Sequence, residues 1–254
     1  MQRIALLPVK GPVVSEELPL SAFSARIVSS KKIIGLLEKI NRSKRIKALI
    51  LEINCPGGSP LPCKEIAEAI KSIRKPTVAW VREVAASGGY WIASATDAIV
   101  ADGLSTLGSI GVASIRPDFS EFLKKIGIDV DTVASGIHKL LGLPFKPLSS
   151  EEKEEDRQRR EEEIKIIQQI FLEGIKEKRS LKENAIEEIS SGKTYLGQEA
   201  KNLGLIDELG GKEKALEVAA KKANLIRFKI VDYSEMLEKP RRRLRRLFRL
   251  LGAF

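Results

Sequence analysis

The stretch ALILEINCPGG, residues 48–58, sets a run of apolar and β-branched residues directly against a Pro-Gly-Gly turn. A run this short, bounded by turn residues, predicts a strand over Ala48–Asn54 that is buried on both faces. Residues 77–95, TVAWVREVAASGGYWIASA, repeat the arrangement. They predict a strand over Thr77–Val81, a second glycine pair at Gly88-Gly89, and a helical run over Tyr90–Ala95. Outward from these two, Ile4–Val9 and Ala98–Ala101 read as further strands. Between the strands, Ser30–Ile40 and Lys64–Ile73 carry apolar residues at helical spacing: Ile33, Ile34, Leu37 and Ile40, then Ile66, Ala69, Ile70 and Ile73. Strands alternating with helices imply a parallel sheet joined by right-handed crossovers. Both glycine pairs then fall at the carboxyl edge of that sheet, where α/β folds bind ligands.

The composition fits such a fold and excludes several others. The chain has 254 residues and 28.1 kDa, with 43% hydrophobic and 31% charged residues, so a packed core is possible and global disorder is excluded. Aromatics make up 5%, which leaves the core to Ile, Leu, Val and Ala. One His (His138) and two Cys (Cys55, Cys63) exclude a zinc site of four cysteines, or of two cysteines and two histidines, and argue against a disulfide-built fold. No metal or cofactor is expected. Five Asn and five Gln against 78 charged residues point to a hot environment.

The formal charge of +10 is concentrated in a tail. Residues 238–254 hold seven bases (Lys239, Arg241, Arg242, Arg243, Arg245, Arg246, Arg249) and one acid, leaving a mildly basic body. On a helix, Leu244, Leu247, Phe248 and Leu251 would form one stripe with the arginines largely opposite. This is the pattern of a helix lying in an anionic membrane interface. A solvated tail and a helix docked on a sister subunit are the alternatives. Nucleic acid is not expected, because no aromatic stacking platform accompanies the bases. The N-terminal MQRIALLPVKGPVV is broken by Pro8, Lys10, Gly11 and Pro12, so neither a membrane span nor a signal peptide is read there. The expectation is a peripheral, membrane-associated protein without a span.

From Ser149 the text changes to SSEEKEEDRQRREEEIKIIQQIFLEGIKEKRS. Ser149 or Ser150 can cap a helix here, and the acids that follow suit its positive end. The apolar positions Ile164, Ile167, Ile170, Phe171 and Ile175 begin late, so residues 149–179 read as a helical arm, solvated or facing a subunit in its first turns. Leu181–Ile189, Gly197–Leu203 and Lys212–Ala223 read as further helices and Arg227–Tyr233 as a last strand. Residues 1–237 are expected to form one domain, followed by the tail 238–254.

Among candidate nucleophiles, Ser87 stands apart. It falls where a strand gives way to a helix, so unpaired backbone N–H groups would favour negative charge developing there. The glycines after it let a substrate backbone approach closely. Pro56-Gly57-Gly58 would present N–H groups at the same sheet edge, as an oxyanion hole requires. Cys55 and Cys63 have no neighbouring base, and Cys55 reads as a core filler. For the base, His138 would serve a Ser–His pair and Lys139 a Ser–Lys pair; periodicity does not choose between adjacent residues. A lysine base would need shielding from water and a partner hydroxyl.

The blocks INCPGGS (53–59), VAASGGYWIASATD (84–97), TLGSIGV (106–112), SGIHKL (135–140) and GKTYLGQEAKNLGLIDELGG (192–211) together closely resemble the signal peptide peptidase family of Ser–Lys serine peptidases. They occur in the family's order across roughly residues 4–225. The resemblance implies an α/β fold built as a spiral of parallel-sheet ββα units, shared with the Clp protease and the crotonases. It implies Ser87 as nucleophile and Lys139, 52 residues later, as general base. Ser109 matches the hydroxyl that orients the lysine, and Gly58 and Gly88 match the oxyanion hole. It further implies hydrophobic, membrane-derived substrates such as cleaved signal peptides, and a dome-shaped homo-oligomer whose sites can draw Ser87 and Lys139 from adjacent subunits. The sequence departs from the pattern at Cys55, where the family usually has Ser, and at His138, which reads as a bystander. Members of the family usually carry an N-terminal membrane anchor, which is not expected in this sequence. Two other classes share features: a crotonase-like acyl-CoA hydratase or isomerase, which would work through carboxylates, and a non-catalytic membrane-associated scaffold.

Overall fold

The computed structural model describes residues 1–16, 27–179, 181 and 183–237; the basic tail lies outside the described residues. The described residues form two compact units, one made of those within 1–111 and 171–237, the other of Val112–Ile170. The strands are β1 (Arg3–Lys10), β2 (Val13–Val14), β3 (Val28–Ser29), β4 (Ile46–Cys55), β5 (Thr77–Ala86), β6 (Ala98–Ala101), β7 (Thr106–Gly108), β8 (Thr194–Leu196), β9 (Glu208–Leu209) and β10 (Lys229–Asp232). The helices are α1 (Ser30–Arg42), α2 (Pro60–Lys71), α3 (Gly88–Ser94), α4 (Ser120–Lys125), α5 (Ser150–Lys176), α6 (Glu183–Ile189), α7 (Gly197–Asn202), α8 (Lys212–Lys222) and α9 (Ser234–Leu237).

In the larger unit the main sheet runs β10-β1-β4-β5-β6-β9, parallel at every pairing, and β2–β3 form a separate small parallel pair. The apolar runs that decide the fold are explained by cover on both faces. Ala5, Leu7, Leu49, Leu51, Ala79 and Val81 join one core with Ile33, Leu37 and Ile40 of α1 and Ile66 and Ile70 of α2. The alternate residues Ile4, Leu6, Ala48, Ile50, Val78 and Val100 form a second core with Ala215, Ala219 and Ala220 of α8. Period-two alternation sends neighbouring side chains to opposite faces, so both must be apolar. The alanines let α8 lie close on its face.

β5 runs to Ala86, five residues past the predicted end. The exposed pair Arg82-Glu83 breaks the apolar run, and the structure shows why. Val78–Val81 pair with β6, whereas Val84–Ala86 pair with β7. The register against β4 slips between Ile53↔Val81 and Cys55↔Ala85. Arg82 and Glu83 occupy that irregularity, where the strand changes neighbours and bends. β7 in turn pairs antiparallel with β8. The three-residue β7 and β8 and the two-residue β9 are too short to leave a periodic signal.

In the smaller unit, the start of α5 is capped as its sequence suggests. Ser149 Oγ accepts the Glu152 N–H at 3.2 Å, and the Glu152 carboxylate accepts the Ser149 N–H at 2.9 Å, a reciprocal capping box. Asp156 is buried and takes Arg160 Nε at 2.9 Å. Phe119 and Phe145 stack at 6.2 Å. Several apolar side chains here stand in solvent, including Ile115, Phe122, Ile126 and Val133, the last 93% exposed. Among the described residues no helix is long and apolar enough to cross a membrane.

Candidate active site

Ser87 closes β5 and caps α3 in a conformation that L-residues seldom adopt, φ 51° and ψ −126°. Such backbone costs about 1–3 kcal/mol and persists only where the surroundings impose it. Here the Ser87 N–H donates to the Gly108 carbonyl at 2.8 Å, and the Ser87 carbonyl accepts the N–H groups of Tyr90 and Trp91. Tyr90, fully buried, anchors α3 by donating its hydroxyl to Leu205 O at 2.8 Å. Trp91 stacks on Phe171 with ring centroids 4.6 Å apart. The turn is therefore fixed on both sides, and Ser87 remains partly open to solvent. Among the described residues its Oγ has no hydrogen-bond partner. With seven residues, α3 is too short to supply much dipole.

The two glycine pairs interlock behind this serine. A Cβ on Gly57 would stand 3.0 Å from Ser87 Cβ, one on Gly88 2.3 Å from Cys63 Sγ, and one on Gly89 2.2 Å from the Cys55 carbonyl. Only glycine allows β4's end, α2 and the Ser87 turn to approach this closely. Among the described residues neither the Gly58 nor the Gly88 N–H has a hydrogen-bond acceptor. Cys55 and Cys63 are fully buried, and burial pushes their thiols up to about 11 and about 12. Both are packing residues, as the sequence predicts for Cys55.

Ser109 stands beside Ser87. β5 and β7 pair in parallel up to Ala86↔Gly108, and each serine is the next residue of its strand. Ser109 also has positive φ, 49°, and donates its N–H to Lys193 O at 2.8 Å. A Cβ on Gly108 would meet that same carbonyl and the Tyr195 ring, each at 2.9 Å. The GKTYLG block thus buttresses the TLGS turn, and four of the five sequence blocks meet in one unit. Positive φ at both serines was not legible in the sequence, because neither sits in a turn motif that demands it.

Lys139 belongs to the other unit, on a 3-10 turn over Ile137–Leu140. It is exposed, and among the described residues its amine has no hydrogen-bond or ion-pair partner. His138 is exposed too, with Nδ1 3.2 Å from a Glu155 carboxylate oxygen. Among the described residues no cluster of His, Cys, Asp and Glu could hold a metal.

Comparison with known proteins bears on this arrangement. Residues 69–226, from within α2 to just past α8, match the family described as peptidase family S49. A putative protease of Methanocaldococcus jannaschii is 35% identical over 205 residues, covering 79% of this chain and 64% of that protein. The chloroplastic serine protease SPPA of Arabidopsis thaliana is 34% identical over 226 residues, 88% of this chain but 33% of the plant protein. A putative signal peptide peptidase SppA of Enterococcus faecium is 31% identical over 242 residues, covering 91% of this chain and 67% of that protein. The chain therefore spans from a third to two thirds of the length of these relatives. The family match takes in the whole Ser87 turn, Ser109 and Lys139 and covers more than half of the chain, which belongs to peptidase family S49.

Proposed function

We propose that this chain is a serine endopeptidase in which Ser87 is the nucleophile and Lys139 the general base. The observation that carries the reading is the strained Ser87 turn, fixed on both sides, where among the described residues the Ser87 hydroxyl and the Gly58 and Gly88 N–H groups have no hydrogen-bond partner. A neutral Lys139 amine takes the Ser87 Oγ proton as Oγ bonds to the peptide carbonyl carbon, and the carbonyl oxygen becomes an oxyanion. The N–H groups of Gly58 and Gly88 hold that oxyanion. The lysine ammonium then returns the proton to the leaving amine as the C–N bond breaks, and water, deprotonated by the same amine, releases the acyl group. The family match favours this chemistry over the acyl-CoA alternative. A fluorophosphonate probe tests it: wild type should be labelled at Ser87 and Ser87→Ala should not. Labelling of another residue with Ser87 untouched would refute the assignment.

In this reading the Ser109 hydroxyl orients the lysine amine. Ser109→Ala should then lower turnover by about 5- to 150-fold, the loss of one hydrogen bond worth roughly 1–3 kcal/mol, with thermal unfolding unchanged. Turnover equal to wild type from neutral to alkaline pH would remove Ser109 from the mechanism.

The substrates proposed are hydrophobic peptides such as cleaved signal peptides, in line with the family resemblance and with the Enterococcus relative's name. The apolar side chains exposed on the smaller unit suit contact with such peptides and with a second copy of the chain. Membrane attachment is assigned to the tail. Deleting residues 240–254 should abolish sedimentation with anionic liposomes and spare hydrolysis of a short soluble peptide. Binding by the full chain should weaken steeply with salt, since charge is screened within about 8 Å at physiological ionic strength. Liposome binding that survives the deletion would place attachment elsewhere.

A further inference from the structure

The N-terminal segment does something at the sheet edge that the peptidase mechanism leaves unused. Val13, fully buried, donates its N–H to Gly57 O at 2.8 Å and accepts the Ser59 N–H on its carbonyl at 2.9 Å. These two bonds make an isolated parallel bridge between Val13 and Gly58. In parallel pairing, the residue flanked by the two bonded neighbours turns its own N–H and C=O to the opposite side. Gly58 is that residue, so the bridge fixes its N–H pointing away from Val13. The contact is close: a Cβ on Gly58 would fall 2.2 Å from Val13 O and 2.5 Å from Val13 N, and Gly58 holds φ +153°. Val13 is itself anchored, pairing with Val28 of β3 while Val28 N–H donates to Pro12 O at 2.9 Å. A Pro-Gly-Gly loop without such an anchor could rotate its peptide planes freely, because glycine populates both signs of φ.

We infer that the backbone of Val13 is a positioning strap for the oxyanion site, holding the Gly58 N–H at the angle in which it meets the developing negative charge. This rests on the reading of Gly58 as an oxyanion donor. The Val13 backbone bonds to Gly57 and Ser59 and makes no hydrogen bond to Ser87 among the described residues; it acts through Gly58, so its effect is on turnover more than on binding. Oxyanion donors act by preorganisation, so a donor left free to rotate loses most of its value even though it remains present.

Ser59→Pro tests the strap with little other disturbance. Ser59 sits at φ −62° and ψ 133°, which proline adopts, and its side chain makes no cap bond to α2. The substitution deletes the N–H that Val13 O accepts and puts a ring carbon in its path. With an internally quenched Leu- and Ala-rich peptide, kcat should fall about 10- to 100-fold while KM stays within about threefold. Inhibition by acetyl-Leu-Leu-norleucinal, whose hemiacetal oxygen would occupy the oxyanion position, should weaken by the same factor as kcat/KM. Ser59→Ala, which keeps the N–H, should remain within about twofold of wild type. If Ser59→Pro fails to fold, a backbone ester at position 59 deletes the N–H without the ring and carries the same expectations. Turnover of Ser59→Pro within twofold of wild type, or a fall in kcat with undiminished aldehyde inhibition, overturns the strap. Should wild type resist the aldehyde or Ser87→Ala stay active, the peptidase reading falls first and the strap with it.

Discussion

Ser87→Ala is expected to lower peptide hydrolysis by roughly ten-thousandfold or more, and Lys139→Ala by a comparable factor, because in the proposed mechanism nucleophile and base act as a unit. The double variant should be little worse than either single one. If each residue contributed separately, the double variant would instead show the product of both losses. His138→Ala should remain near wild type, since the imidazole is exposed and already faces Glu155. Loss of activity in His138→Ala with activity retained in Lys139→Ala would replace the Ser–Lys pair by a histidine mechanism. Wild-type turnover should rise from neutral to alkaline pH, because only a neutral amine accepts the serine proton. The cysteines are poor candidates for that rise, because burial pushes their thiols up to about 11 and about 12. A flat profile together with an inactive Lys139→Ala would mean that the lysine acts as a charge and not as a base.

The parts of this molecule that were legible in the sequence are those that burial or glycine imposes. ALILEIN reads as a two-faced strand because α1 and α2 cover one side and α8 the other. Ser87 reads as a candidate because Gly88-Gly89 follow it, and the structure shows what those glycines permit, namely Cys63 Sγ and Cys55 O at the closest approach. The capping of α5 was legible down to two residues, with Ser149 taking the cap. What stayed hidden depends on neighbours far away in the chain. The second half of β5 looks broken at Arg82-Glu83 because its change of partner from β6 to β7 leaves no mark in local pattern. Nothing in the sequence singles out Val13, because its two bonds to the Gly58 loop are backbone bonds, which no side-chain pattern encodes. The shielding that a lysine base needs was expected from chemistry, yet Lys139 is exposed and its amine has no partner among the described residues.

That last mismatch motivates the other large effect. If Lys139 finds its shelter and its serine on a second copy of the chain, each active site takes Ser87 from one subunit and Lys139 from the next. Ser87→Ala and Lys139→Ala would each assemble into inactive oligomers, since every site in either lacks one partner. Mixed under conditions that exchange subunits, the two should regain activity. A site regains both residues wherever the Ser87 donor is a Lys139→Ala chain and the Lys139 donor is a Ser87→Ala chain. With a head-to-tail interface and equal random mixing, that holds for about one site in four, so activity should return to roughly a quarter of wild type. Exposed Ile115, Phe122 and Val133 on the smaller unit give such an interface apolar surface to bury. Ser87 and Lys139 working within one chain would give no recovery at any mixing ratio. Recovery should follow the product of the two fractions, peaking at equal amounts, so a mixing curve separates shared sites from contamination by wild-type enzyme, which would not depend on the ratio in that way.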